Sequence, residues 1–98
     1  MDRREILRDL AFKCAEALIN NYKVKRIFLI GSLVKGYVHS KSDIDMVIEG
    51  LSPYLYIKAL TELYEILLPG IELNLIPFED AYESLKEKTI KEGELIYG

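Results

Sequence analysis

The sequence predicts a mixed α/β fold, with a small mixed β-sheet and helices packed on one face. Stretches with the apolar spacing of strands alternate with stretches that have the spacing of helices, which is typical of this class. Two of the predicted strands are apolar on one side and polar on the other, which leaves one sheet face open. The 98 residues suffice for one hydrophobic core, and we expect residues 1–98 to form a single domain.

The first half of the chain predicts a helix, a buried strand, a short helix and a second strand. Residues 3–22 carry apolar side chains at helical spacing. Residues 25–30 end in a continuous apolar run, which indicates a central strand. A short helix over 33–37 is expected to open on Ser32, and residues 44–48 predict the second strand.

The second half adds two helices and two strands. Residues 52–68 predict a helix, because a serine N-cap is followed by a proline at the first helical position. Residues 71–76 predict a third strand, and residues 79–91 a last helix. Residues 94–97 are expected to add a short edge strand.

Alternation along the second and third strands separates apolar from polar side chains. In the second strand Ile44, Met46 and Ile48 are expected to face the helices. In the third strand Glu72 and Asn74 lie opposite the apolar residues. The residues of the second strand expected on the open polar face are Asp43, Asp45, Val47 and Glu49.

Composition limits the functions that we expect. The formal net charge is −3, so a basic nucleic-acid footprint is not expected. Residues 1–41 carry nine Lys/Arg against four Asp/Glu, which a phosphate-bearing ligand or simply solvated helix faces would explain. Cys14 is the only cysteine, and no apolar run approaches about 20 residues, which together favour a cytoplasmic protein without a membrane span. The absence of Gln and Trp, with abundant Glu and Lys, is typical of a thermophile.

Asp43 and Asp45 are the strongest candidates for metal ligands. Two residues apart on a strand, their side chains leave the same face, about 6–7 Å apart at the backbone. Paired carboxylates repel each other unless a cation lies between them. Mg²⁺ is held in proteins by one or two carboxylates together with substrate phosphates, so the pair predicts a magnesium site.

Gly31 and Ser32 follow the first strand and predict a phosphate site. Glycine lets a phosphate approach the backbone closely, and the start of a helix offers free N–H groups. The Ser32 hydroxyl can donate to a phosphate oxygen. Lys35 lies one helical turn further and adds a positive charge, while Ser42 either donates to phosphate or caps a turn.

The Gly-Ser pair at 31–32 and the Asp-Ile-Asp triplet at 43–45 are separated by ten residues, a combination far more specific than either part. With this spacing between two strands, the chain resembles the minimal nucleotidyltransferases of the DNA polymerase β-like superfamily. Gly36 matches the second glycine of the family's GSxARG block, with Val34 and Lys35 in place of the usual Ala and Arg. Ser42 matches the serine of the SDxD block, and residues 91–97 resemble the segment that closes the family's domain.

The chain departs from this pattern at Asn74. The family usually brings a third carboxylate from a neighbouring strand, and the corresponding residue here is an asparagine. An amide oxygen can ligate a cation, but it carries no charge and cannot act as a base. Glu72 lies two residues away on the same face, where it is either a further metal ligand or a solvated strand residue.

The resemblance implies an enzyme that binds Mg²⁺, expected as two ions, together with ATP or another nucleoside triphosphate, and transfers AMP to an acceptor hydroxyl. Asp43 and Asp45 would then be catalytic. Minimal nucleotidyltransferases are often encoded beside a small helical HEPN protein and act as antitoxins that adenylylate a tyrosine of this toxin. The alternative, motivated by Asn74, is a catalytically weakened nucleotide-binding module that neutralises a HEPN-like partner by association.

Other polar and aromatic residues leave alternatives open. His39 is either a general base or a solvated loop histidine. The basic cluster before the first strand, which consists of Lys23, Lys25 and Arg26, either contacts phosphate or is solvated. Five tyrosines either stack on a nucleotide base or are half-buried packing residues: Tyr54, Tyr56, Tyr64, Tyr82 and Tyr97.

Overall fold

The computed structural model describes residues 2–36 and 43–98 of the chain. Its elements are α1 (Arg3–Tyr22), β1 (Arg26–Ile30), α2 (Ser32–Lys35), β2 (Ile44–Glu49), α3 (Tyr56–Ile66), β3 (Leu73–Pro77), α4 (Glu83–Glu92) and β4 (Glu94–Tyr97). The strands form one mixed sheet in the order β3-β2-β1-β4. β1 is antiparallel to β2 and β4, whereas β2 and β3 are parallel. The predicted mixed α/β fold is confirmed.

Helix α1 has the bounds that the sequence predicts. Its N-cap, Asp2, accepts a 2.8 Å hydrogen bond from the Glu5 N–H, and the helix ends where Lys23 adopts a left-handed conformation with φ 52. The apolar stripe is buried, including Cys14 at 0% exposure. Burial raises the pKa of the Cys14 thiol to about 11, which fits a packing residue and not a reactive thiol.

The main core lies between α1, α3 and one face of the sheet. The residues predicted for this face of β2 are fully buried, as are Ile27 and Leu29 of β1. The opposite face is not entirely polar, contrary to expectation, because Val47 is 0% exposed. A 3-10 turn at Phe78–Asp80 follows β3, and Phe78 stacks on Phe28 with ring centroids 6.4 Å apart. This aromatic pair extends the apolar packing on the face where Val47 lies.

The bounds of α2 and β3 differ from the predicted ones by one or two residues. α2 is the single turn Ser32–Lys35, not 33–37, and residue 37 lies outside the described residues. β3 begins at Leu73 and not at 71, because the Ile71 N–H still bonds the Leu68 carbonyl, 3.3 Å away, within the preceding turn.

The starts of α3 and α4 also differ from the prediction. The segment predicted as a helix from 52 begins with a 3-10 turn at Pro53–Leu55, and the Ser52 side chain makes no capping bond. α3 ends at Ile66 because Leu67 turns extended, with ψ 149. The helix predicted from 79 begins only at residue 83, since Ala81 is extended after the second 3-10 turn.

Two tyrosines of α3 close the outer edge of β3. The Tyr56 hydroxyl donates to the Leu75 carbonyl at 2.5 Å. The Tyr64 hydroxyl accepts from the Leu73 N–H at 3.0 Å and lies 3.3 Å from its carbonyl. Side-chain hydroxyls thus satisfy backbone groups that an edge strand would otherwise expose. The packing interpretation holds for these two tyrosines.

Tyr54 and Tyr82 do not pack in this way. They are 96% and 86% exposed, so the packing interpretation is wrong for both. Among the residues that the structure describes, no helix has the length and apolar character needed to cross a membrane.

Candidate active site

The antiparallel pairing of β1 and β2 brings Gly31 against Asp45. Ile30 is in register with Asp45, and the chain then turns at Gly31 with φ 74 and ψ −146. A Cβ atom at Gly31 would lie 2.5 Å from Asp45 Oδ2. Only glycine fits here, both because the conformation disfavours L side chains and because the carboxylate occupies the space. The Gly-Ser and Asp-x-Asp motifs therefore meet in one place.

Asp45 also contacts the residue that stands at the family's third carboxylate position. β2 and β3 pair with Asp45 beside Asn74, and the Asn74 amide donates a 2.7 Å hydrogen bond from Nδ2 to Asp45 Oδ1. An ionised carboxylate only accepts hydrogen bonds, so its neighbour has to donate. The departure from the family pattern at Asn74 therefore changes the immediate surroundings of the Asp45 carboxylate.

Asp43 lies one residue before β2. The Ile44 N–H donates to the Glu72 carbonyl at 2.9 Å, and continuing the parallel register places Asp43 beside Glu72. Across residues 2–36 and 43–98, no three His, Cys, Asp or Glu side chains gather closely enough to hold a metal ion. The metal-ligand roles of Asp43, Asp45, Asn74 and Glu72 therefore stay predictions.

Helix α2 carries two of the predicted phosphate ligands. Ser32 is its first residue and is partly buried, whereas Lys35 in its last turn is exposed. Two consecutive N–H groups, of Val34 and Lys35, bond back to the Gly31 carbonyl at 3.2 and 3.1 Å. The Ser42 and His39 predictions fall outside the described residues.

Arg4 of α1 holds α2 in place and was not singled out from the sequence. Its guanidinium donates to the Leu33 carbonyl from Nε at 3.2 Å and from Nη2 at 3.1 Å. The sequence shows only a cation in the first turn of a helix, which does not reveal a partner on another helix.

Asp45 has no cationic partner among residues 2–36 and 43–98. Within the part of the chain that the structure describes, no Lys, Arg or His side chain lies within ion-pair distance of it. Glu49, on the same strand, instead receives two hydrogen bonds from Arg26, at 2.6 and 3.1 Å. Of the basic cluster before β1, Arg26 is therefore used for this ion pair, and Lys23 forms the end of α1.

A separate cavity lies at the other end of the sheet. It measures about 410 Å³ and is found beyond the ends of β2 and β3 that are remote from Asp43. Its walls are mainly apolar, and they include neither Gly31 nor Asp45. The residues lining it are Leu51, Pro53, Tyr56, Pro77, Glu79 and Asp80.

Comparison with known proteins agrees with this geometry. Residues 13–98 match the family described as polymerase beta, nucleotidyltransferase. The chain belongs to this family. The matched range contains the glycine, both aspartates and Asn74, so the site lies within the shared domain.

Individual relatives extend the comparison to nearly the whole chain. A candidate protein adenylyltransferase of Methanocaldococcus jannaschii is 36% identical over 101 residues, covering 96% of this chain and 92% of its own. A crystal structure of a toxin–antitoxin with AMP-PNP matches with a TM-score of 0.71 at 22% identity, covering 92% of this chain and 72% of the other. A structure of the toxin–antitoxin MntA-HepT matches with a TM-score of 0.64 at 18% identity, covering 96% and 72%. At these identities the two structures support the fold.

Proposed function

We propose that this nucleotidyltransferase binds a magnesium nucleoside triphosphate, with ATP as the expected substrate, and transfers the nucleoside monophosphate to a hydroxyl group of a HEPN-type partner protein. Gly31, Ser32 and Lys35 would hold the triphosphate. Asp43 and Asp45 would hold the metal and form the catalytic pair.

One observation carries this proposal: the Asp45 carboxylate lies against Gly31 without a cation of the described chain beside it. The closeness of the phosphate-binding motif and the carboxylate is what a metal-bound triphosphate requires, because the metal must touch protein carboxylate and phosphate oxygens at the same time. A carboxylate with a merely structural role would be expected to have a cationic protein partner, as Glu49 has in Arg26.

The donor set fits Mg²⁺. Carboxylate and amide oxygens are hard ligands, and the parallel register that pairs Asp45 with Asn74 supports a shared site of these residues and Asp43. When bound, Mg²⁺ neutralises phosphate charge and orients the triphosphate for in-line displacement. The resemblance implies two ions; two carboxylates and a neutral amide supply less charge for them than three carboxylates would.

The reaction forms one bond and breaks one. The acceptor hydroxyl oxygen bonds to the α-phosphorus, the bond from that phosphorus to the bridging oxygen breaks, and pyrophosphate leaves. The hydroxyl loses its proton, which the Asn74 amide cannot accept because it has no basic site at neutral pH. We therefore expect slower transfer than an aspartate at this position would give.

The proposed acceptor rests on relatives. Two fold neighbours are toxin–antitoxin structures, and one sequence relative is named as a candidate protein adenylyltransferase. The resemblance implies a tyrosine of a HEPN-type toxin as acceptor.

Label transfer tests the proposal. The protein is incubated with MgCl₂, α-labelled ATP and a purified HEPN-type protein as candidate partner, and label on the partner is measured after denaturing electrophoresis. We expect labelling by the wild type and by Asp80→Ala, an exposed carboxylate at the other end of the sheet. Labelling should disappear in Asp43→Ala. Equal labelling in both variants, or none in the wild type, would refute transfer through this site.

Asn74 supports a second candidate function, that of a binding module. In that case the domain neutralises its partner by association, and the Asn74 amide bonded to Asp45 marks a site with little remaining catalysis. Tight association with the HEPN-type protein that is unchanged by Asp43→Ala, together with absent labelling, would favour this function.

A further inference from the structure

Arg4, in the first turn of α1, is bonded to the short helix that follows Gly31. Its Nε and Nη2 atoms donate to the Leu33 carbonyl at 3.2 and 3.1 Å. Leu33 directly follows Ser32, a residue of the proposed triphosphate site. Residues 13–98 match the nucleotidyltransferase family, so this contact to the site comes from a residue outside the matched range.

α2 depends on contacts from other elements to keep its position. It is a single turn, Ser32–Lys35, and an isolated turn of helix is unstable because ordering its backbone costs more free energy than its few hydrogen bonds contribute. The last carbonyls of a helix also lack partners within it. Here Gly36 donates to the Ser32 carbonyl at 2.9 Å, and Arg4 supplies two donors to the next carbonyl, that of Leu33. Arg4 therefore caps the end of α2.

The part of α1 that carries Arg4 is well packed. Leu7, one turn further along the helix, is 0% exposed, and Leu33 on the other side of the contact is 1% exposed. The Asp2 side chain caps the start of α1 by accepting the Glu5 N–H at 2.8 Å. The two bonds from Arg4 therefore join α2 to a helix start that is itself fixed to the core.

A shift of α2 would disturb the proposed site. The Gly31 carbonyl accepts the Val34 and Lys35 N–H groups at 3.2 and 3.1 Å, so Gly31 and α2 are expected to move together. Gly31 also lies against Asp45, whose Oδ2 would be 2.5 Å from a Cβ at this position. The placement of α2 thus sets where Gly31 and Ser32 stand relative to the Asp45 carboxylate.

We infer that Arg4 is a positioning residue for nucleotide binding: through the Leu33 carbonyl it holds α2 where Gly31 and Ser32 meet the triphosphate. This inference rests on the proposed function, because it assumes a nucleotide at these two residues. Arg4 acts through α2 and does not contact the nucleotide. Nucleotide affinity then depends on two hydrogen bonds that are made outside the site itself.

Calorimetry with AMP-PNP and MgCl₂, together with amide hydrogen exchange measured by NMR without nucleotide, tests this inference. Arg4→Ala should weaken AMP-PNP binding about 5- to 20-fold, as expected for losing hydrogen bonds from a charged group near the surface. The exchange of the Val34 and Lys35 amides should rise several-fold, because α2 opens more often. Arg4→Lys keeps the charge but lacks the planar pair of donors, so it should lie between Arg4→Ala and the wild type in both measurements.

The second arginine bridge of α1 provides the matched control. Arg8 donates two hydrogen bonds to Glu94, at 2.9 and 2.8 Å, and so joins α1 to β4 and not to α2. The pKa of the Glu94 carboxyl is lowered chiefly by these bonds, burial opposes this, and the charges of Arg8 and Arg4 lower the pKa further. A Glu94 left alone would therefore attract Arg4, and the control removes both partners. The double variant Arg8→Ala/Glu94→Ala should lose stability but keep the AMP-PNP affinity and the α2 exchange rates of the wild type.

The outcomes separate this inference from the function it rests on. If the wild type binds AMP-PNP and Arg4→Ala binds it equally well, the inference is wrong and the proposed function stands. A loss of affinity without a change in the exchange of α2 also overturns it, since Arg4 would then contact the nucleotide directly. Equal losses in Arg4→Ala and in the control variant indicate general destabilisation and overturn it as well. A wild type that binds no AMP-PNP contradicts both proposals.

Discussion

Asp45 and Glu49 lie on the same face of β2 and have opposite surroundings. Glu49 is in register with Arg26, which binds it through two hydrogen bonds and also lies 5.3 Å from the Phe28 ring and 5.4 Å from the Phe78 ring. Asp45 is in register with Ile30, and its hydrogen-bond donor is the uncharged Asn74 amide. The protein thus supplies a cation to one carboxylate of the strand and none from its described residues to the other.

This difference is the basis for proposing different roles for the two carboxylates. The pKa of the Glu49 carboxyl is lowered chiefly by its hydrogen bonds from Arg26; burial opposes this as the next largest effect, and the charges of Arg26 and Lys25 lower the pKa further. The charge of Glu49 is therefore part of what stabilises the fold. For Asp45, no described residue supplies a compensating charge, and this supports the proposed metal site.

The largest expected effect comes from removing the glycine that makes room for Asp45. Gly31→Ala should abolish measurable binding of Mg–AMP-PNP, because the new Cβ displaces the carboxylate. It should also cost about 1–3 kcal/mol of unfolding free energy through backbone strain. Calorimetry and urea unfolding measure the two effects.

Gly70→Ala is the matched control for this substitution. Gly70 also has a positive φ, of 87, but a Cβ there would meet nothing within 4 Å. The control should lose about 1–2 kcal/mol of stability, as expected for a left-handed residue, and keep its nucleotide affinity. Equal nucleotide affinities in the two variants would show that the contact between Gly31 and Asp45 is unimportant.

Asn74→Asp should make the fold depend on a divalent cation. A second carboxylate would stand where an amide now lies 2.7 Å from Asp45, and close like charges destabilise each other. Without metal we expect a loss of about 1–2 kcal/mol, or roughly 5–15 °C in Tm, that MgCl₂ restores. Thermal unfolding in EDTA and in MgCl₂ measures this.

The neighbouring Glu72→Gln provides the control, because it removes an exposed carboxylate from the same face of β3. Its Tm should respond to MgCl₂ as that of the wild type does. A metal response that changes in Glu72→Gln and not in Asn74→Asp would move the third ligand position to Glu72.

Neutralising the two carboxylates of β2 should have opposite consequences. Glu49→Gln is expected to cost about 1 kcal/mol, the upper range for a partly exposed ion pair, and to leave nucleotide binding intact. Asp45→Asn should change stability by less than about 0.5 kcal/mol, because it breaks no ion pair within the described residues, and should lose nucleotide binding. Urea unfolding measures the stability of both variants. A larger loss of unfolding free energy in Asp45→Asn than in Glu49→Gln would contradict the distinction between the two carboxylates.

The smallest expected effect is on the pH dependence of stability. Because the pKa of Glu49 is lower in the folded protein than its ordinary value of 4.5, its contribution is fully present above pH 4.5 and is lost as the pH falls through the folded-state pKa. The pKa of Glu94 is lowered in the same way by hydrogen bonds from Arg8. Glu49→Gln should therefore lose stability less steeply than the wild type below pH 4.5, while retaining the part due to Glu94. Identical slopes would contradict the assigned ion pair.

Local signals in the sequence predict much of the fold. The apolar stripe of residues 3–22 predicts α1 with its observed bounds, and the alternation along β2 predicts which side faces the helices. The errors arise where distant residues decide. The burial of Val47 depends on the opposite face being covered, and Phe78 reaches that face from a 3-10 turn that follows β3. No local pattern around Val47 reveals this.

The sequence singles out the residues of the proposed site but not the contacts between them. Motif spacing singles out Gly31, Asp43 and Asp45, whereas the approach of Gly31 to Asp45 depends on the register between β1 and β2. The bond from Asn74 to Asp45 depends on β3 pairing in parallel with β2, which no single strand specifies.

Calorimetric titration of Mg–AMP-PNP into the wild type, Asp45→Asn and Glu49→Gln tests most directly whether Asp45 is reserved for a bound metal. We expect binding in the wild type that requires MgCl₂, the same affinity in Glu49→Gln, and at least a 100-fold loss in Asp45→Asn, typical of removing a group that contacts a bound charge. Metal-independent binding, or an affinity in Asp45→Asn equal to that in Glu49→Gln, would contradict this assignment.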